Sequence, residues 1–199
     1  MGRIKTGKKK LKSKKKLKSK KKLSGGADTR IKKKARLSKD DIKYSIENDN
    51  FEISGIYMGN DIWYVTDIGN YITIGERGKC PGSISNDGKP IWHTHPKIVK
   101  YYLSTTDITK CLTHPKVNES YIFTQHGVWK ISWEVKLKNY NDDLENINEI
   151  IEEINTIFYE LTGSHFDDES KRLYDKSLVD EYIKQLENKI PVKITWEPW

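Results

Sequence analysis

The stretch IWHTHPKIVKYYLSTTDI, residues 91–108, holds two of the chain's five histidines one residue apart. It breaks at Pro96 and resumes with Ser104 and Asp107, eight and eleven residues after that proline. "IWHTH" is short, rich in β-branched and aromatic residues, and stopped by proline, so it reads as a strand. "STTDITKCLTH" carries a serine followed three residues later by an acid, which is a helix start. On a strand, residues i and i+2 point the same way, so His93 and His95 present two imidazoles on one face. Ser104 and Asp107 share a face near the helix N-terminus. If the helix start folds back onto the strand end, Asp107 supplies a third ligand. Two histidines and one carboxylate with an open fourth position form a catalytic zinc arrangement. Either half alone has a plainer reading, as surface imidazoles or an ordinary helix cap. The joint spacing decides, because it should arise by chance in about one chain in 10^5. No C-x-x-C pair occurs, so the thiolate sites of structural zinc are absent.

Outward from this stretch, "SKDDIKYSIEN" reads as a short helix with Ser38 as N-cap. "NFEISGIYMG" (50–59), "DIWYVTDI" (61–68) and "NYITIGE" (70–76) read as three successive strands punctuated by Gly and Asn. "GKCPGSISNDGKP" (78–90) is loop or hairpin. "ESYIFTQHGVWKISWEV" (119–135) is a hairpin. A long helix follows, with Leu144, Ile147, Ile150, Ile151, Ile154, Phe158 and Leu161 on one face and Gly163 as its C-cap. A second helix fits 177–189, capped by Ser177, and "IPVKITWEPW" closes as a strand. The expected fold class is α/β or α+β, one domain over 38–199.

At these residues the chain resembles the JAMM (MPN-plus, JAB domain) zinc metalloproteases. Their signature is a glutamate, then H-x-H-P, about seven residues, and S-x-x-D. Here "HTHP" is followed by seven residues ending in Leu103 and by "STTD". The family glutamate sits on an early strand in a context like E-x-x-G-hydrophobic-hydrophobic-x-G, and "EISGIYMG" matches it from Glu52, with Gly55 and Gly59 in place. Pro90-Ile91 stands where the family usually has Gly-Trp. The resemblance covers roughly residues 38–135. It implies an MPN fold, similar to cytidine deaminases: a mixed, curved β-sheet flanked by helices.

The resemblance implies Zn²⁺ held by His93, His95 and Asp107, with Glu52 as general base and then acid. It implies Ser104 as the hydrogen-bond donor to the tetrahedral oxyanion. The reaction would be hydrolysis of an amide or isopeptide bond, and the family's eukaryotic substrates point to removal of ubiquitin or a ubiquitin-like protein. Glu52 precedes His93 by 41 residues, which leaves little room for the large insertions some family members use to grip ubiquitin. A second zinc site drawn from Cys111, His114, Cys80, His126 or His165 has only two neighbouring ligands, so ordinary surface or core roles are favoured. A zinc nucleobase deaminase would need H-x-E and P-C-x-x-C, and neither is present.

Charge is divided sharply. Residues 1–37 contain 18 Lys or Arg against one Asp, and residues 38–199 contain 18 basic against 27 acidic residues, so a segment of net +17 precedes a domain of net −9. "KKKLKS" occurs at 8–13 and 14–19, and "KKKLS" follows at 20–24. So many like charges with so few apolar groups predict a disordered, polyanion-binding tail. Lys8, Lys9, Lys10, Lys14, Lys15, Lys16, Lys20, Lys21 and Lys22, joined by Lys32, Lys33 and Lys34, are its expected nucleic-acid contacts. A nuclear address signal is the next reading. "MGRIKT" also fits the myristoylation pattern, which with a polybasic patch would give a two-signal membrane anchor. No apolar run approaches the ~20 residues of a membrane span. Two cysteines build no disulfide framework, which fits an intracellular setting, host cytoplasm or nucleus. With 31 Lys against 5 Arg, and 24 Ile, the composition reads as AT-rich coding. A large DNA virus with basic virion proteins is a natural source. That source also frames the competing reading, a non-catalytic MPN-fold structural or virion DNA-binding protein. Deleting residues 1–37 should abolish salt-sensitive DNA retention in a filter assay; unchanged retention would refute the tail's role.

Overall fold

The structure is a computed structural model and describes residues 36–71, 87–96, 103–114, 116–133, 140–162 and 176–199. The lysine repeats, Gly163, Cys80, His165 and the stretch 78–86 lie outside them.

The described residues form a seven-stranded sheet. Its strands are β1 (Arg36–Leu37), β2 (Phe51–Tyr57), β3 (Trp63–Tyr71), β4 (Ile91–Thr94), β5 (Glu119–Thr124), β6 (Gly127–Trp133) and β7 (Val192–Pro198). Their order is β1-β3-β2-β4-β5-β6-β7. The β4–β5 pair is parallel and the other neighbours are antiparallel. Helices α1 (Lys39–Asn48), α2 (Thr105–Thr113), α3 (Tyr140–Thr162) and α4 (Lys176–Lys189) flank it. The mixed α/β class expected from the sequence is the class observed.

Alternation along the strands sends apolar residues to both faces. On one face Ile53, Trp63, Trp92 and Phe123 pack with Ile42 and Ile46 of α1. On the other, Ile91, Ile122, Trp129 and Ile131 pack with Ile108, Ile151, Ile154, Phe158 and Tyr182 of α2, α3 and α4. Of the α3 residues expected on the apolar face, Ile147, Ile151, Ile154 and Phe158 are buried. Helix α2 is the crossover between parallel strands β4 and β5, so its N-terminus comes off the carboxyl end of the central strand.

Two strand assignments change. Residues 63–68 and 70–71 lie in one strand, β3, not two, and Asp61 and Ile62 belong to the turn before it. Gly69 does not end the strand: a register shift against β2 between Phe51 and Ile53 spans it, and a second shift, between Ser54 and Gly55, lies opposite Thr66. Residues 72–76 lie outside the described set. Arg36 and Leu37, placed in the tail on composition, form β1 against Tyr64 and Trp63, and Leu37 is buried. The turn between β2 and β3 has Asn60 and Asp61 at positive φ and an Ile62 N–H bond to the Gly59 carbonyl. That is the two-residue hairpin turn whose twist suits a right-handed strand pair. Helix α4 begins at Lys176, one residue before the expected cap.

The outer side of β7 is closed by local chemistry. The Ile194 N–H donates to Glu187 Oε1 of α4 at 2.7 Å, and the Val192 N–H donates to the Ile190 carbonyl at 2.8 Å. Pro198 has no N–H to offer.

Gly55 is fixed by its neighbours. It lies opposite Trp92, whose indole N–H reaches the Tyr64 carbonyl at 3.3 Å. A Cβ on Gly55 would sit 1.8 Å from the Tyr64 carbonyl oxygen and 2.7 Å from the indole nitrogen. The obstacle is backbone, so β2 and β3 must part. Gly55→Ala should therefore destabilise by about 3 kcal/mol, lowering the melting temperature by roughly 6–12 °C in a calorimetric scan; an unchanged melting temperature would contradict this packing.

Candidate metal centre

Strand β4 is held on both sides at the point where the histidines emerge. On one side Ser54, Gly55 and Ile56 of β2 pair with His93, Trp92 and Ile91. On the other, the His95 N–H donates to the Phe123 carbonyl at 2.7 Å, carrying the β5 pairing past Thr94. Thr94 itself points away from the imidazoles and is buried; its Oγ1 accepts the Ile53 N–H at 2.9 Å. The residue between the two histidines is thus a strand tie.

Helix α2 starts with a reciprocal cap. Asp107 N–H donates to Ser104 Oγ at 3.2 Å, and Ser104 N–H returns a bond to Asp107 Oδ2 at 2.7 Å. The Ser104 hydroxyl also donates to Asp107 Oδ2, at 2.8 Å. Ser104 therefore orients the carboxylate through two donors on Oδ2, which leaves Oδ1 for His93.

His93 Nε2 lies 2.9 Å from Asp107 Oδ1, His95 Nε2 lies 3.5 Å from Oδ2, and the two Nε2 atoms are 3.1 Å apart. All three residues are buried, and they are the group of metal-ligand type found among the described residues. Burial pushes the Asp107 carboxyl up, but the facing His95 and His93 outweigh it and hold the carboxyl well below the usual carboxylate range. Three such atoms facing one another out of water need a shared proton or a cation among them. A tetrahedral zinc with arms of roughly 2.0–2.2 Å sets its ligand atoms roughly 3.3–3.6 Å apart. The observed separations come within about half an ångström of that edge, so the group fits a small cation of this kind.

Glu52 lies on the same sheet face. Ile53 belongs to the α1 side, so Glu52 and Ser54 face the α2 side with His93 and His95. Continuing the Ser54–His93 register by two residues sets Glu52 beside His95. Glu52 is 4 % exposed, and its Oε2 has no hydrogen-bond partner. An uncompensated buried carboxylate oxygen is costly and marks a place where something polar belongs.

The other candidates separate from this group. His114 is the C-cap of α2, and its Nδ1 accepts the N–H groups of Lys116 (3.3 Å) and Val117 (3.1 Å), so that nitrogen is committed to backbone. His126 lies in the turn between β5 and β6, and burial holds its pKa down. Trp199 packs against Phe123, and its indole N–H donates to the Thr124 carbonyl at 2.9 Å. The tail lysines lie outside the described residues. Among the described residues no helix is long and apolar enough to cross a membrane.

Two residues not singled out by sequence brace the site. Asn155 of α3 is buried and donates through Nδ2 to the carbonyl of Leu103, the residue before the cap, at 3.0 Å. The Tyr182 hydroxyl of α4 donates to Asn155 Oδ1 at 2.8 Å. Both long helices thereby fix where α2 begins. The available signal was an amide inside the apolar stripe beside Ile151, Ile154 and Phe158.

No family model, no curated protein and no solved structure matches the chain. Asp107→Asn should weaken binding of a divalent metal more than about 100-fold in a chelator competition, because even changes to partners of ligands cost 10–100-fold; wild-type affinity in that variant would remove Asp107 from the site.

Proposed function

We propose that the chain is a zinc-dependent metallopeptidase of the JAMM type, on an MPN-like sheet, that hydrolyses an amide or isopeptide bond. One observation carries the reading. His93, His95 and Asp107 converge within 4.8 Å, on the face that also carries the buried, unpartnered Glu52. The order and spacing of these residues are those of the family signature described above.

His93, His95 and Asp107 would hold the Zn²⁺ ion. When bound, the ion supplies Lewis-acid activation of a water and of the scissile carbonyl. The chain's own residues do the rest. Glu52 accepts the proton of the attacking water and passes it to the leaving amine. Its burial keeps bulk solvent from competing for that proton. Ser104 and the Asn155–Tyr182 pair hold Asp107 in place, so little reorganisation is left for the reaction. The non-catalytic scaffold reading leaves the Glu52 oxygen unexplained, since a structural sheet gains nothing from a buried carboxylate without a partner.

The substrate belongs to the same proposal: a ubiquitin or ubiquitin-like conjugate, with the lysine-rich segment tethering the enzyme to nucleic acid or a nucleoprotein particle. Purified protein should carry about one zinc per chain by elemental analysis. In a panel of ubiquitin-type conjugates, Glu52→Gln should retain that zinc while cleavage falls about 10²-fold or more. A wild-type protein that cannot be loaded with zinc would end the enzyme reading; a loaded one that cleaves no conjugate would end the assignment of substrate.

A further inference from the structure

Three hydrogen bonds between α4 and Asp107 all point the same way. The Tyr182 hydroxyl donates to Asn155 Oδ1 at 2.8 Å, and Asn155 Nδ2 donates to the Leu103 carbonyl at 3.0 Å. At the other end of that same peptide unit, the Ser104 N–H donates to Asp107 Oδ2 at 2.7 Å. The carboxamide sits this way round because a flipped one would set Oδ1 against the Leu103 oxygen, two acceptors with no proton between them. The phenol also lies 3.4 Å from the Leu103 carbonyl, but its one proton goes to the nearer Asn155. Leu103, Asn155 and Tyr182 are all buried. Two amide groups thus stand head to tail, with a phenol at one end and a carboxylate at the other. An amide whose oxygen accepts a hydrogen bond becomes a better donor through its N–H, most of all where water is excluded. The bond that ends on Asp107 is the shortest of the three, as a donor bond to a carboxylate should be.

We propose that Tyr182 is a positioning residue of the metal centre. It acts through Asn155 and the Leu103–Ser104 peptide to strengthen the Ser104 N–H as a donor, and so holds Asp107 with its Oδ1 toward His93. The effect on metal rests on the zinc reading above; the series of bonds rests on the fold alone. The role differs from bracing. A brace needs Asn155 to meet Leu103 and is indifferent to the phenol proton. The series weakens at its far end when that proton is removed, although the ring and every other atom stay. Helix α4 then shares in the site from a residue 79 positions beyond Leu103. Changes of this kind to the partners of a ligand cost 10–100-fold in metal affinity where they have been made, roughly the scale expected for loss of Asn155.

Full-length wild type, Tyr182→Phe, Asn155→Leu and the double variant are compared in two ways. Without metal, the Ser104 amide proton is followed by proton–nitrogen NMR. After Co(II) loading, release of the ion to a chelator is timed. Tyr182→Phe should move the Ser104 amide proton upfield, the sign of a weaker bond to Asp107. Asn155→Leu should move it further and release Co(II) about tenfold faster or more, with Tyr182→Phe between it and wild type. Because Tyr182 acts through Asn155, the double variant should release Co(II) no faster than Asn155→Leu alone. An unmoved Ser104 amide proton in Tyr182→Phe overturns the proposal. Additive losses in the double variant do so too, since they mark two separate structural contributions. Should Asn155→Leu not fold, Tyr182→Phe, which lacks only one buried oxygen, decides by its amide shift. A wild type that takes up no Co(II) sinks the zinc reading instead, and the Ser104 amide proton still decides whether the phenol reaches Asp107.

Discussion

The contact between Asp107 and the two imidazoles joins parts of the chain that local preferences alone would leave apart. One oxygen of this carboxylate belongs to the cap of α2, bound by the Ser104 N–H and hydroxyl. The other meets His93 at the end of the central strand. A helix start is thereby tied to a strand end, at the single parallel step in an otherwise antiparallel sheet. Charge accounts for the closeness. Out of water, a carboxylate is tolerated only beside donors or cations, and here it has a capping serine on one side and two imidazoles on the other. The remaining polar ties reinforce that joint: Thr94 locks β4 to β2 behind the histidines, and Asn155 with Tyr182 pins the residue before the cap.

Much of this was legible because it is local. A period of two places His93 and His95 on one face, and a cap of the S-x-x-D form places Asp107 in the first turn. Both follow from backbone geometry that neighbours cannot easily override. The S-x-x-D stretches at Ser38 and Ser104 form the expected caps, each closed reciprocally by its aspartate. Glu52 was found through its glycine context, and the structure gives that context a cause: Gly55 leaves room for the Trp92 indole to cross to the Tyr64 carbonyl.

What escaped the sequence depends on distant partners. Asn155 looks like any polar residue on a helix until the Leu103 carbonyl arrives, 52 positions away. The run through Gly69 looked like a break because glycine usually punctuates strands, yet a register shift against β2 absorbs it. The direction of a hydroxyl has no sequence signature at all. Ser104 caps α2 with its hydroxyl against Asp107, while Ser54, an ordinary strand residue on composition, lies buried across from His93 with no hydrogen-bond partner for its hydroxyl.

The lateral borders of the sheet are not equivalent. Along β7, alternate outward amides are already engaged by Glu187 and by the Ile190 carbonyl, and proline occupies a further position. A foreign peptide backbone laid against that margin finds too few free donors to form a ladder, so filament growth by sheet-to-sheet addition is blocked there. On the opposite margin, among the described residues, β1 pairs with Trp63 and Tyr64 of the nine residues of β3. The described strands therefore leave backbone donors and acceptors open along the rest of β3 and not along β7.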